Sequence, residues 1–239
     1  MIIYGRNPVR EALRGRRRVH RVWATRNAAR EPWLQGGVAA QRSPSERGEH
    51  EPIVIAASEI EALCGSPQHQ GVCAEVEPFR YCTGTELLAR PRPLIVALDQ
   101  VQDPQNLGAI CRTAECAGVT GVVLPERRTA TITPAVCKAS AGAVEHLSVA
   151  RVRNLADFLE QAKQSSLWCY GADAGAEVSY LELAMGTGAV LVLGSEGRGL
   201  RPRVAGACDM LVGIPVRGHV ESLSVAAACA VLLYAARTT

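Results

Sequence analysis

No apolar run in the 239 residues reaches the roughly 20 that a membrane-spanning helix needs. Val225 to Ala236 comes closest, but it is short and alanine-rich and reads as a buried helix. The start, MIIYGRNPVREALRGRRR, has no apolar signal core ahead of its charges, so a cytoplasmic protein without membrane contact is expected. The nine cysteines, an odd number, show neither a CxxC nor a Cys/His ligand spacing. No metal site is expected from them, and in a reducing compartment they read as free thiols. Cys111 and Cys116 fall on an expected helix and read as core packing. There is no P-loop and no GxGxxG fingerprint. The glycine-rich run Gly194-Ser195-Glu196-Gly197-Arg198-Gly199 lacks the Lys-Ser/Thr pair that grips a β/γ-phosphate, so a phosphate-bearing cofactor is not demanded. Lysine is nearly missing: of 26 basic side chains only Lys138 and Lys163 are lysine.

What is present is a globular composition, 48% hydrophobic and 21% charged, long enough for one large domain or two smaller ones. The charge is uneven. Residues 1–50 carry 11 Arg against 4 Glu, and the remaining residues carry 15 basic against 19 acidic side chains. Arginine suits phosphate through its planar fork of donors. The cluster headed by Arg6, Arg10, Arg16, Arg17 and Arg18 therefore reads as a nucleic-acid footprint, with a merely solvated face as the bland alternative.

Taken in order, Met1–Leu13 is an apolar pair, a turn at Gly5, and a helix with Asn7 near its N-cap, Pro8 at its first position and Val9, Ala12 and Leu13 facing inward. Val19–Ala24, Pro52–Ile55 and Gly71–Val76 read as strands, with a helix over Ala57–Leu63 capped by Ser58. Ala28–His50, rich in Arg, Glu, Ser, Gly and Pro, reads as a loop. These give a first α/β domain over 1–77. Residues 78–93 read as a linker with a short helix near Glu86–Ala89. Over 94–239, strands at Leu94–Leu98, Val119–Leu124, Leu147–Ala150, Leu167–Gly171, Val190–Leu193 and Met210–Val216 alternate with helices at Leu107–Ala117, Thr131–Ala143, Leu155–Ser165 and Leu223–Ala236. That alternation predicts a parallel sheet, with ligands at the strand C-terminal ends.

Chemistry can sit at several places. Asn106 is placed at a helix mouth as a plausible N-cap, and Arg112 six residues on, about 600° of rotation away, does not share its face. An arginine inside an otherwise apolar helix is costly without a partner. An ion pair with Glu115, a surface position or a functional site would each account for it. Glu196 could pair with an arginine, hold a polar ligand group or serve as a cap. Ser222 and Ser224 precede the last helix, where N-capping alone would explain either.

Three stretches, NLGAICRTAECAGVTGVVL, LVLGSEGRGL and IPVRGHVESLSVAAACAVLLYAA, resemble in order and spacing the three motifs of the SpoU (TrmH) family of RNA 2′-O-ribose methyltransferases. YGRNPVREAL and HQGVCAEV are similar to phrases of the family's N-terminal substrate-binding domain, in the subgroup that methylates guanosine in large-subunit (23S) ribosomal RNA. The resemblance implies a SPOUT-type α/β knot: a parallel sheet with helices on both faces and a C-terminal trefoil knot, beside a small N-terminal RNA-binding α/β domain. It implies S-adenosylmethionine as cofactor, no metal, and a homodimer whose pocket is completed near the subunit interface. It assigns Leu193, Gly194, Glu196, Gly197, Ile214, Val216, Ser222 and Leu223 to the cofactor. Asn106, Arg112, Glu196 and Ser222 match the polar catalytic residues, with Arg112 also touching RNA beside Arg6, Arg10, Arg16, Arg17 and Arg18. The family proposal is that the arginine, together with the substrate phosphate, takes the proton of the ribose hydroxyl. A guanidinium is ordinarily too basic for that, which leaves a phosphate-clamping role open. Transfer RNA as the substrate, or a non-catalytic role in ribosome assembly, are the alternatives. One position departs from the pattern: the family's SLN is Ser222-Leu223-Ser224 here, and a serine hydroxyl reaches less far than an asparagine amide.

Overall fold

The chain forms two compact units, and it crosses between them more than once. One unit comprises Met1–Phe79 and Ile132–His146, and the other comprises Arg80–Thr131 and Leu147–Thr239. This computed structural model describes residues 1–40, 51–183, 188–220 and 222–236.

In the first unit the strands β1 (Ile2–Tyr4), β2 (Val19–Ala24), β3 (Ile53–Val54) and β4 (Val72–Val76) form one sheet in the order β1-β4-β2-β3. β4 pairs antiparallel with both β1 and β2, and β3 lies parallel to β2 at the edge. The helix α1 (Arg6–Arg14) buries Pro8, Val9, Ala12 and Leu13. Its N-cap is Gly5, two residues earlier than Asn7. Gly5 sits at φ 97, a left-handed conformation open to glycine. Residues 28–40 are not the expected loop. A 3-10 turn at Ala28–Arg30 leads into α2 (Pro32–Ala40), and residues 41–50 of that stretch lie outside the described residues. Polar composition hid a helix whose Leu34 is fully buried. In α3 (Ala57–Cys64) the cap is Ala56, not Ser58, and the Glu59 carboxylate accepts from the Ala56 N–H at 2.8 Å.

Residues 132–146 were expected inside the second domain. They return to the first unit because their apolar side chains, Ile132, Val136, Cys137 and Val144, are buried there. The helix α6 (Pro134–Ala139), capped by Thr133, packs on β1 and α1. Glu145 then meets Arg17 in a two-pronged ion pair: Arg17 Nε donates to Oε2 at 3.0 Å, and Nη2 donates to Oε1. Arg17 also reaches the Glu77 carbonyl at 3.4 Å and lies 5.9 Å from the centre of the Phe79 ring. Both charged residues are 8% exposed.

The second unit carries one six-stranded sheet, entirely parallel. In chain order its strands are β5 (Leu94–Leu98), β6 (Gly121–Pro125), β7 (Ser148–Val152), β8 (Trp168–Ala172), β9 (Ala189–Leu193) and β10 (Met210–Val212), and the order across the sheet is β10-β8-β9-β5-β6-β7. Every residue of β5, β6 and β9 is buried, as a sheet covered on both faces requires. One face packs Ile95, Ala97, Val123, Val190 and Val192 against α4 (Gly84–Leu88), α7 (Leu155–Gln164) and α8 (Pro202–Ala205). On the other, α5 (Pro104–Cys116) and α9 (Val225–Ala235) pack together. The stretch read as a linker is partly built into this unit: Leu87 of α4 is fully buried, and Cys82 donates its N–H to the Val149 carbonyl. From β5 the chain runs outward through β6 and β7. From β9 it runs the other way, past β8, to β10. The switch point therefore lies between the C-terminal ends of β5 and β9, where a crevice is expected.

Removing one partner of a buried ion pair strands the other charge. Arg17→Ala should therefore lower unfolding free energy by about 3 kcal/mol in urea titrations, and Arg17→Met with Glu145→Met should recover much of the loss. A single substitution within about 0.5 kcal/mol of wild type would contradict the buried pair.

Candidate functional site at the β5–β9 switch point

At the end of β9 the chain turns sharply. Ser195 and Gly199 exchange two backbone hydrogen bonds, N–H to carbonyl, at 3.1 and 3.0 Å. Gly197 and Gly199 sit at φ 76 and 63. A side chain at Gly194 would run into the backbone of Gly199 and Leu200, so the loop closes only on glycine. Asp99, at the end of β5 and 1% exposed, holds both ends of this loop. Its N–H donates to the Leu193 carbonyl at 2.7 Å. Its carboxylate accepts from the Arg201 N–H at 2.9 Å, from Nε at 2.8 Å and from Nη2 at 2.7 Å. Nothing local in the sequence marks Asp99 or Arg201, because their pairing spans more than a hundred residues.

Two adjoining cavities open beside the loop. The first, of about 420 Å³, is lined by residues after β8 (Asp173, Ala174), the Leu193–Gly199 stretch, Val212, Ile214 and Val216, then Ser222, Leu223 and Val225, and Ala228 and Leu232 of α9. All eight residues that the resemblance assigns to a cofactor, Leu193, Gly194, Glu196, Gly197, Ile214, Val216, Ser222 and Leu223, line it. Backbone-rich turns and aliphatic side chains dominate this wall. The second cavity, about 350 Å³, is lined by Gln100, Val101, Gln102, Asp103, Asn106, Ser195, Glu196, Arg198 and Val225. Ser195, Glu196, Arg198 and Val225 belong to both.

Asn106 is not the N-cap of α5. Asp103 is, accepting from the N–H groups of Gln105 and Asn106 at 3.1 and 3.2 Å. Pro104 fits the first helical position, where its missing N–H costs nothing. Asn106 thus lies inside the first turn, half-buried on the second cavity. Glu196 is exposed and, among the described residues, makes no ion pair or capping bond. Arg112 is exposed on α5 and lines neither cavity. Of the accounts open for this arginine, the surface position is the one found on α5, and no pair with Glu115 forms among the described residues. Gln105, Arg112 and Cys116 share the exposed side of α5, while Leu107, Ile110, Cys111 and Ala114 are inward.

The arginine cluster of the first unit is divided. Arg16 and Arg18 are exposed, Arg6 pairs with Glu31 at 3.0 Å and Arg10 with Glu11 at 3.1 Å. Arg17 is buried against Glu145, so it is withdrawn from the candidate nucleic-acid contacts. All nine cysteines are free, and Cys116 is exposed where core packing was expected. Burial pushes the thiols of Cys73, Cys169, Cys208 and Cys229 up to about 12, so these are protonated core groups and not nucleophiles at neutral pH.

Comparison with known proteins places these features in a family. Residues 93–234 match the model of the SpoU rRNA Methylase family, and residues 2–82 match that for RNA 2′-O ribose methyltransferase substrate binding. The putative TrmH family tRNA/rRNA methyltransferase YacO of Bacillus subtilis is 35% identical over 244 residues, covering 97% of this chain and 93% of its own. A putative TrmH family tRNA/rRNA methyltransferase of Staphylococcus haemolyticus is 32% identical, covering 98% and 94%. Among solved structures, a putative RNA methyltransferase of the TrmH family from Porphyromonas gingivalis superposes with a TM-score of 0.77 at 28% identity, over 100% of this chain and 90% of that one. An AdoMet-bound rRNA methyltransferase from Sinorhizobium meliloti gives 0.80 at 25%, over 99% and 86%.

Ser224 is the N-cap of α9, its Oγ accepting from the Ala227 N–H at 3.2 Å. Serine and asparagine are comparable caps. Ser224→Asn should therefore leave unfolding free energy within about 0.3 kcal/mol, and Ser224→Ala should cost about 1 kcal/mol. Equal stability of the alanine variant would remove the capping role.

Proposed function

We propose that this chain, which belongs to the SpoU rRNA methylase family and is an S-adenosylmethionine-dependent RNA 2′-O-ribose methyltransferase, acts on guanosine in 23S ribosomal RNA as a homodimer. The observation that carries the reading is the convergence of three separated stretches on one cavity: the residues after β8, the loop after β9 and the connection from β10 to α9. What supports the finer choice of RNA is the similarity of Tyr4–Leu13 and His69–Val76 to the subgroup acting on that substrate. The C-terminal threading implied for the family belongs to the same proposal, and the meeting of these stretches is what favours it.

The first cavity fits the cofactor. Its loop leaves no room for a side chain at Gly194, its walls offer Leu193, Ile214, Val216 and Leu223 as apolar surface, and it has no lysine to hold a phosphate chain. When bound, S-adenosylmethionine supplies an electrophilic methyl group on a sulfonium. The residues of the chain must then hold a ribose hydroxyl in line and receive its proton. Asn106 and Glu196 orient that hydroxyl through hydrogen bonds in this reading, which their shared position on the second cavity supports. Ser222 contributes a hydroxyl to the cofactor cavity. Arg112, outside both cavities of its own subunit, serves as phosphate clamp or proton acceptor in the site of the partner subunit. The exposed faces of the two packed helices support this arrangement: Arg112 on α5, and Val231 and Tyr234, 37% and 52% exposed, on α9. Arg16 and Arg18 provide phosphate contacts from the first unit.

Purified protein should transfer a labelled methyl group to 23S ribosomal RNA, and mapping of the methylated nucleotide should give a guanosine ribose. Exclusive labelling of transfer RNA would favour the second reading, which the tRNA/rRNA naming of the relatives keeps open. Cofactor binding with no transfer to either RNA would favour a non-catalytic assembly role. Arg112→Ala should reduce transfer on the order of 10²-fold. If sites are shared, Arg112→Ala and Glu196→Ala chains co-expressed as a mixed dimer should regain about a quarter of wild-type activity, since half the dimers then hold one intact site. No recovery would place Arg112 in its own subunit's site. Arg16→Ala with Arg18→Ala should weaken RNA binding without lowering stability. Deleting residues 1–77 is a poorer test, because Ile132–His146 would lose the core it packs in.

A further inference from the structure

The second cavity has a charge problem that one residue solves. Its wall carries two carboxylates, Asp103 and Glu196, with Gln100, Gln102 and Asn106. RNA brings a phosphate with every nucleotide, and a phosphate entering between carboxylates meets like-charge repulsion. Among the described residues that line the cavity, Arg198 is the one cation.

Arg198 is also held where it can serve. It lies between Gly197 and Gly199, in the turn closed by the two Ser195–Gly199 hydrogen bonds. Asp99 fixes both ends of that turn. The backbone that carries Arg198 is thus ordered before any ligand arrives, which reduces the entropy lost on binding. The side chain is exposed, and among the described residues it makes no ion pair or hydrogen bond. Arg201, three residues on, is the contrasting case, its guanidinium being committed to Asp99. Gln100, which also lines this cavity, is held at φ 62, a conformation that costs a non-glycine residue about 1 kcal/mol or more and tends to persist at ligand sites.

Resting on the function proposed above, we infer that the second cavity seats the target nucleotide and that Arg198 binds its backbone phosphate, distinct from Arg112 and from any contact of the first unit. The guanidinium fork meets two phosphate oxygens, and the carboxamides of Gln100 and Gln102 face the remainder of the nucleotide with both donors and acceptors. Since Arg198 also borders the first cavity, the competing role is a salt bridge to the carboxylate of the cofactor.

The test uses the full-length protein with two probes, deproteinised 23S ribosomal RNA and unmodified transfer RNA transcripts, and measures affinity over a range of salt. Arg198→Ala should weaken binding of the preferred RNA roughly tenfold and lower the slope of log affinity against log salt by about one. S-adenosylmethionine affinity, measured calorimetrically without RNA, should stay at the wild-type value. Arg198→Lys should keep the slope, since charge is preserved, while losing part of the affinity with the fork. An unchanged salt slope in Arg198→Ala, with wild-type RNA affinity, overturns the proposal. A fall in cofactor affinity with RNA binding intact overturns it in favour of the cofactor carboxylate. If wild-type protein binds neither RNA, this inference falls together with the functional reading. If wild-type methylates RNA and Arg198→Ala does so with equal KM, only this inference falls.

Discussion

The arrangement of both cavities rests on the carboxylate of Asp99. A buried charge is tolerable when its lone pairs are filled, and here three N–H donors of Arg201 fill them. Because the Asp99 N–H also binds Leu193, one residue on β5 determines where the loop after β9 begins and where it ends. The parallel sheet places the ends of β5 and β9 side by side, and opposite winding of their connections leaves a crevice there. The loop fills the rim of that crevice without collapsing into it, because its own hydrogen bonds are satisfied internally between Ser195 and Gly199. Side chains at Glu196 and Arg198 are thereby released from structural duty.

The first unit solves a comparable problem with another long-range ion pair. Three consecutive arginines, Arg16, Arg17 and Arg18, look uniform as a charge run. In the bend that leads into β2 the outer two are exposed and the middle one is buried. Glu145, from a segment more than a hundred residues away, meets it there. The pair ties the end of the Ile132–His146 segment to the residues that lead into β2.

Elements whose signal is local were legible in the residues. Leu94–Leu98 and Val19–Ala24 have the bounds that continuous and alternating hydrophobicity predict. Thr133 and Pro134 mark the start of α6, as cap and first position should. The small helix α8 was hidden in a polar connection, although Val204 is buried, and α2 was hidden in a stretch whose composition is that of a loop. At the site, the eight residues assembled from motif resemblance share one cavity wall, yet the ties that shape the wall were not visible. Asp99 and Arg201 are ordinary residues until the fold joins them. For Arg112 the choice among pair, surface and site stayed open for a related reason: helical position gives its face, but only the packing of α5 against α9 decides which face is solvent.

A division of labour runs through the site. Three residues at the borders of these elements have their polar atoms consumed by structural bonds. Asp103 spends both carboxylate oxygens on the first turn of α5, so the side chain of Asn106, three residues later, stays available to the second cavity. Ser224 spends its hydroxyl on α9, so Ser222 can face the first. Asp99 occupies Arg201, so Arg198 keeps its guanidinium. Seen this way, serine in place of the family's asparagine at position 224 is a small change. The helix needs one oxygen from that position, a hydroxyl supplies it, and the asparagine's additional N–H donors are what the site gives up.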